Sequence, residues 1–225
     1  SRKLDDHTFA RATGSPTLYN GRLYVPLAGV GEEGQGGQAR YECCTFRGSV
    51  TALDANTGAV VWKSYTIPDA PAARGKNAQG KTIWGPSGAG VWGAPTIDAA
   101  RRSIYITTGN NYSGPATMTS DAVIAMDIET GRHKWVFQPL ANDVWAGGCG
   151  RSNPPGGQCP ETLGPDHDFS MSPVLAKVGG KDLLIVHQKS GMAYAVDPDK
   201  GTKVWEYRTG AGAALGGQWG AAVDE

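Results

Sequence analysis

The 225-residue sequence lacks most of what helices, membranes and nucleic-acid partners require. Leu and Glu are sparse, and no segment repeats apolar side chains at a convincing helical period, which argues against a helical fold. No apolar run reaches the roughly 18 residues of a membrane span. The N-terminal Ser-Arg-Lys-Leu-Asp-Asp is not a signal peptide, so an exported protein would carry its leader outside this sequence. Neither sign of charge is in excess, with 21 basic and 21 acidic residues and no basic stripe, so nucleic acid is not an expected partner. Cysteine is limited to Cys43, Cys44, Cys149 and Cys159. Their spacing matches no zinc motif; an even count suits an oxidising compartment, with four free thiols as the alternative.

What is present points to strands. Gly at 33, Pro at 14 and Trp at 7 favour many short strands joined by turns, in a chain long enough for one to two domains. A repeat runs through them. Gly48-Ser-Val-Thr-Ala-Leu-Asp54 leads through Thr57-Gly58 to Trp62. Asp121-Ala-Val-Ile-Ala-Met-Asp127 leads through Thr130-Gly131 to Trp135, and Gly191-Met-Ala-Tyr-Ala-Val-Asp197 through Lys200-Gly201 to Trp205. The Asp starts a turn by bonding its own backbone, the Gly supplies a positive φ, and the next strand carries the Trp. Each copy follows two more strand-like runs: Leu18 to Pro26, Ile97 to Thr108, and Val174 to Val186. Four strands per repeat with a late Trp describe a β-propeller blade, so the fold class is all-β, with tryptophan repeats near 48–63, 121–137 and 191–207.

About three blades cannot close a propeller of the usual four to eight. Residues 1–225 are therefore expected to form a single partial propeller from a longer protein, starting mid-blade. Gly216 to Val223 has the look of the inner strand of a further blade. Within the second repeat, the apolar run Ile104 to Thr108 reads as a buried inner strand between loops carrying Trp92 and Asn110, a flat aromatic and an amide oxygen.

The motif Ala-x-Asp-x-x-Thr-Gly-x-x-x-Trp resembles the tryptophan-docking repeat of quinoproteins that bind pyrroloquinoline quinone, whose complete propellers have eight blades. The stretches Tyr41-Glu-Cys43-Cys44-Thr-Phe-Arg47-Gly48, Gly85 to Trp92 and Gly164-Pro-Asp166-His-Asp168-Phe resemble the polyvinyl alcohol dehydrogenase branch. The resemblance covers nearly the whole chain. It implies that the quinone lies between a Cys43–Cys44 disulfide and the Trp92 indole. It also implies a Ca²⁺ held by Asn110 and by Glu33, with Glu32 as the other choice; oxygen donors suit such a hard cation. Lys189 matches the position of a cation touching the reactive carbonyl, Arg47 is a candidate for a quinone carboxylate, and Thr13 for a cofactor hydrogen bond.

One element departs from the family pattern. The better-known alcohol dehydrogenases place the catalytic Asp directly after a Trp, whereas here Trp145 is followed by Ala146. A Gly/Pro-rich stretch from Gly147 to Pro160, which a Cys149–Cys159 bridge would rigidify, leads to Asp166-His167-Asp168. Asp166 and Asp168 are the candidates for the base, Asp166 slightly preferred, with Asp143 third. His167 and His187 are expected to be loop residues. The resemblance implies oxidation of secondary alcohols by a periplasmic or secreted enzyme that passes electrons to cytochrome c. The alternative is a non-catalytic propeller acting as a binding or assembly scaffold, which has no reason to combine Cys43-Cys44, Trp92 and Asn110.

Overall fold

The computed structural model describes residues 2–149, 158–160, 162–212 and 216–222. Three four-stranded antiparallel sheets dominate it, each pairing its strands in chain order. The first blade comprises Thr17–Tyr19, Arg22–Leu27, Ser49–Asp54 and Val60–Tyr65; the second comprises Thr96–Asp98, Ser103–Thr107, Val123–Asp127 and His133–Phe137. Val174–Val178, Lys181–His187, Met192–Val196 and Lys203–Arg208 form the third. Of two small ribbons, Ala72–Lys76 with Thr82–Gly85 lies between the first two blades, and Ser87–Gly88 pairs with Asn111–Ser113, which lies between the second and third strands of the second blade. Among the described residues the one helix is the single turn Val30–Glu33. Among the described residues no helix is long and apolar enough to cross a membrane.

The turn inside each repeat is built by its aspartate. Asp54 Oδ1 accepts from the amides of Asn56 (3.1 Å) and Thr57 (2.7 Å) and from the Thr57 hydroxyl (2.8 Å). Asp127 repeats all three bonds, while Asp197 keeps the two amide bonds, since Lys200 stands where the threonine was. The pairing slips by one residue beside each turn, after Ala52, Ala125 and Ala195, so all three blades carry a bulge at the same place.

Strand alternation then joins the blades. On the third strand of the second blade, Ile124 and Met126 pack toward Tyr24, Val50 and Ala52 of the first blade. Val123 and Ala125 pack toward Leu184, Val186, Tyr194 and Val196 of the third. Successive side chains on a strand point to opposite faces, so one strand feeds both cores. The repeat tryptophans close the joints. Trp62 donates from Nε1 to the Ile128 carbonyl (3.3 Å) and covers Gly131; Trp135 donates to the Pro198 carbonyl (3.1 Å) and covers Gly201. These glycines are irreplaceable on two counts. Their φ values are 71° and 68°, and a Cβ would lie 2.6 Å or 2.5 Å from the indole above. Trp205, the third of the series, is 41% exposed, and nothing lies within 4 Å of a Cβ at Gly58.

The segment from Gly216 corrects the sequence reading. Its described residues form no strand; they contribute an isolated bridge, Ser170 to Gln218, and place Trp219 at φ 71°.

Candidate functional site

At one end of the second blade, five chain segments converge on a single cavity. The helical turn Val30–Glu33 continues from the Arg22–Leu27 strand and buries two adjacent carboxylates, Glu32 at 0% and Glu33 at 7% exposure. Neighbours on a helix point about 100° apart, and the two diverge accordingly. Glu32 turns away and is saturated, accepting from the Tyr41 hydroxyl (2.9 Å) and from the amides of Thr45 (2.9 Å) and Phe46 (2.6 Å). Glu33 lines the cavity, which has a volume of about 240 Å³ and is walled also by Trp92, Asp168, Lys189 and Trp219.

Asn110 follows the Ser103–Thr107 strand and is held by two aspartates. Its backbone amide donates to Asp168 Oδ1 (2.8 Å) and its side-chain amide to Asp166 Oδ1 (2.8 Å). That orientation leaves Asn110 Oδ1 buried with no hydrogen-bond partner among the described residues. An orphaned buried acceptor costs roughly 1–3 kcal/mol, so it calls for a donor or a cation. Trp92 Nε1 is orphaned in the same way. Gly109 lets these groups approach: a Cβ there would stand 2.5 Å from both Asp168 Oδ1 and Trp92 Nε1.

Lys189 bridges the aspartates. Its ammonium donates to Asp166 Oδ1 at 2.9 Å and to Asp168 Oδ2, and its backbone amide donates to the Asp168 carbonyl at 3.1 Å. One ammonium thus faces three buried carboxylates: Glu33, Asp166 and Asp168. The electrostatic result is visible in their proton affinities. Burial, then the charges of Asp168 and Asp166, push the Glu33 carboxyl well above its ordinary range despite Lys189. Burial raises Asp168 to about 6, against the opposing pull of Lys189. Burial alone would lower Lys189, but the charge of Asp168 and its bonds to both aspartates raise it.

Two further carboxylates lie in the same field. Asp121 is fully buried at φ 48°, its backbone amide donates to the Gly109 carbonyl (3.0 Å), and both its carboxylate oxygens lack hydrogen-bond partners among the described residues. Burial, followed by Asp168, Asp143 and Asp166, drives its carboxyl well upward. Asp143, raised to about 6 by burial, packs against Gly164 and the His167 backbone and does not line the cavity. Burial lowers His167 from its ordinary value, and His187 bonds the Thr209 hydroxyl.

Six residues picked from the sequence therefore meet: Glu33, Trp92, Asn110, Asp166, Asp168 and Lys189. Thr13 joins them at one remove, in an adjoining hollow of about 190 Å³ that shares Trp92 and Trp219. Three others sit elsewhere. Arg47 spends its guanidinium on the carbonyls of Ile67 (3.1 Å) and Pro68 (2.9 Å) and lies 3.8 Å over the Tyr65 ring. Cys43 and Cys44 are joined as a disulfide and fully buried in a cluster with Phe46 and Tyr112, and neither lines the cavity. Tyr112 connects the two regions. Burial, then the charges of Glu33 and Asp168, raises its phenol well above the ordinary value. Cys149 and Cys159 form the second disulfide; residues 150–157 between them lie outside the described residues.

Trp219 and Asp121 escaped the sequence reading. Trp219 belongs to no repeat, and Asp121 looked like the first residue of a strand; only the three-dimensional proximity of blade ends identifies them.

The donor set is oxygen-only, and its charge is unbalanced toward the negative. Among the described residues no three His, Cys, Asp or Glu side chains form a ready-made metal cage. The free Asn110 oxygen with the buried Glu33 carboxylate nonetheless fits a hard cation, and the Trp92 indole fits a planar ligand beside it.

Comparison with known proteins agrees with this architecture. Residues 5–147 match the PQQ family model described as glucose/ethanol/alcohol dehydrogenase, beta-propeller domain. The polyvinylalcohol dehydrogenase of Sphingopyxis sp. (strain 113P3) is 43% identical over 225 residues, covering 99% of this chain and 34% of that protein. The quinohemoprotein alcohol dehydrogenase of Comamonas testosteroni is 29% identical over 155 residues, covering 59% of this chain and 20% of that one. The crystal structure of the Comamonas testosteroni enzyme superposes with a TM-score of 0.59 at 20% identity over 93% of this chain and 31% of that one, which shows a shared fold. The chain spans about a third of the length of the polyvinylalcohol dehydrogenases it matches. With a family match across more than half its length, three tryptophan-joined blades and an acidic, aromatic-walled cavity between them, the chain belongs to the PQQ-dependent quinoprotein alcohol dehydrogenase family and is similar to its polyvinyl alcohol dehydrogenase branch.

Proposed function

We propose that residues 1–225 are one sector of a single propeller domain in a periplasmic or secreted enzyme that oxidises secondary alcohols, polyvinyl alcohol among them. Its cofactors are pyrroloquinoline quinone and Ca²⁺, and its electron acceptor is a cytochrome c. The observation that supports this reading most is the orphaned oxygen of Asn110, a residue held by Asp166 and Asp168, next to an indole-walled cavity lined by Glu33, Asp168 and Lys189.

When bound, the quinone supplies a two-electron acceptor and the calcium ion supplies positive charge. Glu33 and Asn110 Oδ1 are the groups that would hold the metal. Trp92 presents an aromatic face to the flat cofactor, and Thr13 offers a hydrogen bond from the adjoining hollow. Cys43–Cys44 remains the candidate for the opposite wall, reached past Tyr112, and Arg47 for an outer contact that would require it to leave Ile67 and Pro68. Asp168 is the better base than Asp166, because it lines the cavity and its carboxyl sits at about 6, close to working pH. It would take the hydroxyl proton of the alcohol, while the Lys189 ammonium stabilises negative charge forming in the cavity. Asp166 holds Lys189 and the Asn110 amide in place.

The test uses purified full-length protein with quinone and Ca²⁺, following dye reduction by a secondary alcohol. Reduction that requires both cofactors supports the proposal. Absence of reduction, with no quinone retained after gel filtration, removes it in favour of a binding scaffold.

A further inference from the structure

We propose that Glu32 and Gln158 are positioning residues that clamp the segment Tyr41–Phe46 from two sides and so fix the Cys43–Cys44 disulfide relative to Glu33. The proposal rests on the quinone reading for its functional consequence, but its structural content stands alone. From one side, the fully buried Glu32 carboxylate accepts from the Tyr41 hydroxyl (2.9 Å), the Thr45 amide (2.9 and 3.0 Å) and the Phe46 amide (2.6 Å). His7 Nε2 stands 3.4 Å from the same carboxylate. The two backbone donors are the residues directly after Cys44.

From the other side, the buried Gln158 side chain accepts from the Cys43 amide (2.9 Å) and donates to the Tyr41 carbonyl. Its own backbone amide donates to the Gly36 carbonyl (3.2 Å). Gln158 directly precedes Cys159, whose bridge to Cys149 ties it to the stretch after Trp145. The approach there is close: a Cβ at Gly37 would overlap the Gly148 backbone, and one at Gly36 would meet Ala146 at 2.5 Å. The disulfide is thus held on both flanks by side chains from outside its own segment.

Glu32 and Glu33 divide the labour of one helical turn. One spends its oxygens on amides beside the disulfide, and the other presents its carboxyl to the cavity. Its partners, the Tyr41 hydroxyl and the Thr45 and Phe46 amides, all donate, the pattern that a carboxylate acceptor satisfies. Charged acceptors bound to backbone amides are the costlier ones to lose, so truncation should open this segment locally.

The experiment compares full-length wild-type protein with Glu32→Gln, Glu32→Ala and Gln158→Ala. It measures amide exchange across residues 41–46, alkylation of Cys43 and Cys44 under mild reductant, quinone dissociation constant, and kcat at saturating quinone. The expected result for Glu32→Ala is at least about tenfold faster exchange at Thr45 and Phe46. Cys43 and Cys44 should label faster, with Cys149 and Cys159 unchanged, and the quinone constant should rise about tenfold while kcat stays within about twofold. Gln158→Ala should accelerate the Cys43 amide instead, and Glu32→Gln should restore part of the quinone affinity. Unchanged exchange in both truncations overturns the clamp. Faster exchange with unchanged quinone affinity overturns its functional role, as does acceleration spread evenly over the whole protein. If the wild type binds no quinone, the functional reading fails, while exchange and alkylation still decide the clamp.

Discussion

Replacing Lys189 by methionine removes the one ammonium bridging Asp166 and Asp168 while keeping a chain of similar length. The lysine side chain is 12% exposed, and its Nζ lies 2.9 Å from Asp166 Oδ1. At an effective dielectric of about 20, a pair at that distance attracts by about 6 kcal/mol before desolvation is subtracted. Breaking buried pairs by removing one partner costs roughly 3–5 kcal/mol, because the other charge stays behind. For a chain of this size, that lowers Tm by on the order of 10 °C. The loss should depend on pH. Asp168 has a folded pKa of about 6, raised above its ordinary 3.8. Stability from its protonation is therefore fully present below about pH 4 and lost as pH rises through about 6. Without Lys189 its proton is held still more tightly, so at pH 5 the carboxyl is neutral and needs no cation. Metal-free thermal unfolding followed by circular dichroism should show a larger loss at pH 8 than at pH 5, the difference being the part that comes from the Asp168 carboxylate. An equal loss at both pH values, or none at pH 8, would refute the electrostatic account of the cavity.

Three further outcomes follow from the same geometry. Glu33→Gln should raise the metal-free Tm at pH 8 by a few degrees, roughly 1 kcal/mol, since it removes a buried charge facing two aspartates, and should abolish any calcium-induced rise; thermal scans with and without Ca²⁺ check both. Calcium should stabilise wild type more at pH 8 than at pH 5, because the Asp168 carboxyl, at about 6, takes up a proton in between, and the upward shift of Glu33 makes protons compete with the metal in the same sense. In the 225-residue chain, Gly131→Ala should cost about 3 kcal/mol, combining left-handed strain with displacement of Trp62, whereas Gly58→Ala at the same φ of 71° should cost about 1 kcal/mol; urea unfolding of the two variants gives the difference.

The blades were legible because their physics is local and repeated. Asp54, Asp127 and Asp197 announce turns by chemistry confined to a few residues, and Trp62 and Trp135 dock onto the next copy of that same turn. The site residues on blade ends, Trp92, Asn110 and Lys189, were legible through their family motifs. What resisted reading depends on long-range packing. The choice between Glu32 and Glu33 turns on which side of one helical turn meets Thr45 and Phe46. The direction of Arg47 is set by carbonyls some 20 residues further along, at Ile67 and Pro68. Trp219 reaches the cavity through the Ser170 backbone, with no motif to mark it.

The central claim is that Glu33, Trp92 and Asn110 together create a site for a calcium-bound quinone. Its most direct test is quinone retention by full-length protein after gel filtration, with and without Ca²⁺, in wild type, Asn110→Ala and Trp92→Ala. The account predicts about one quinone retained per wild-type chain, only with calcium, and loss of retention in both variants. Retention by Asn110→Ala equal to wild type, or none by wild type, would contradict it.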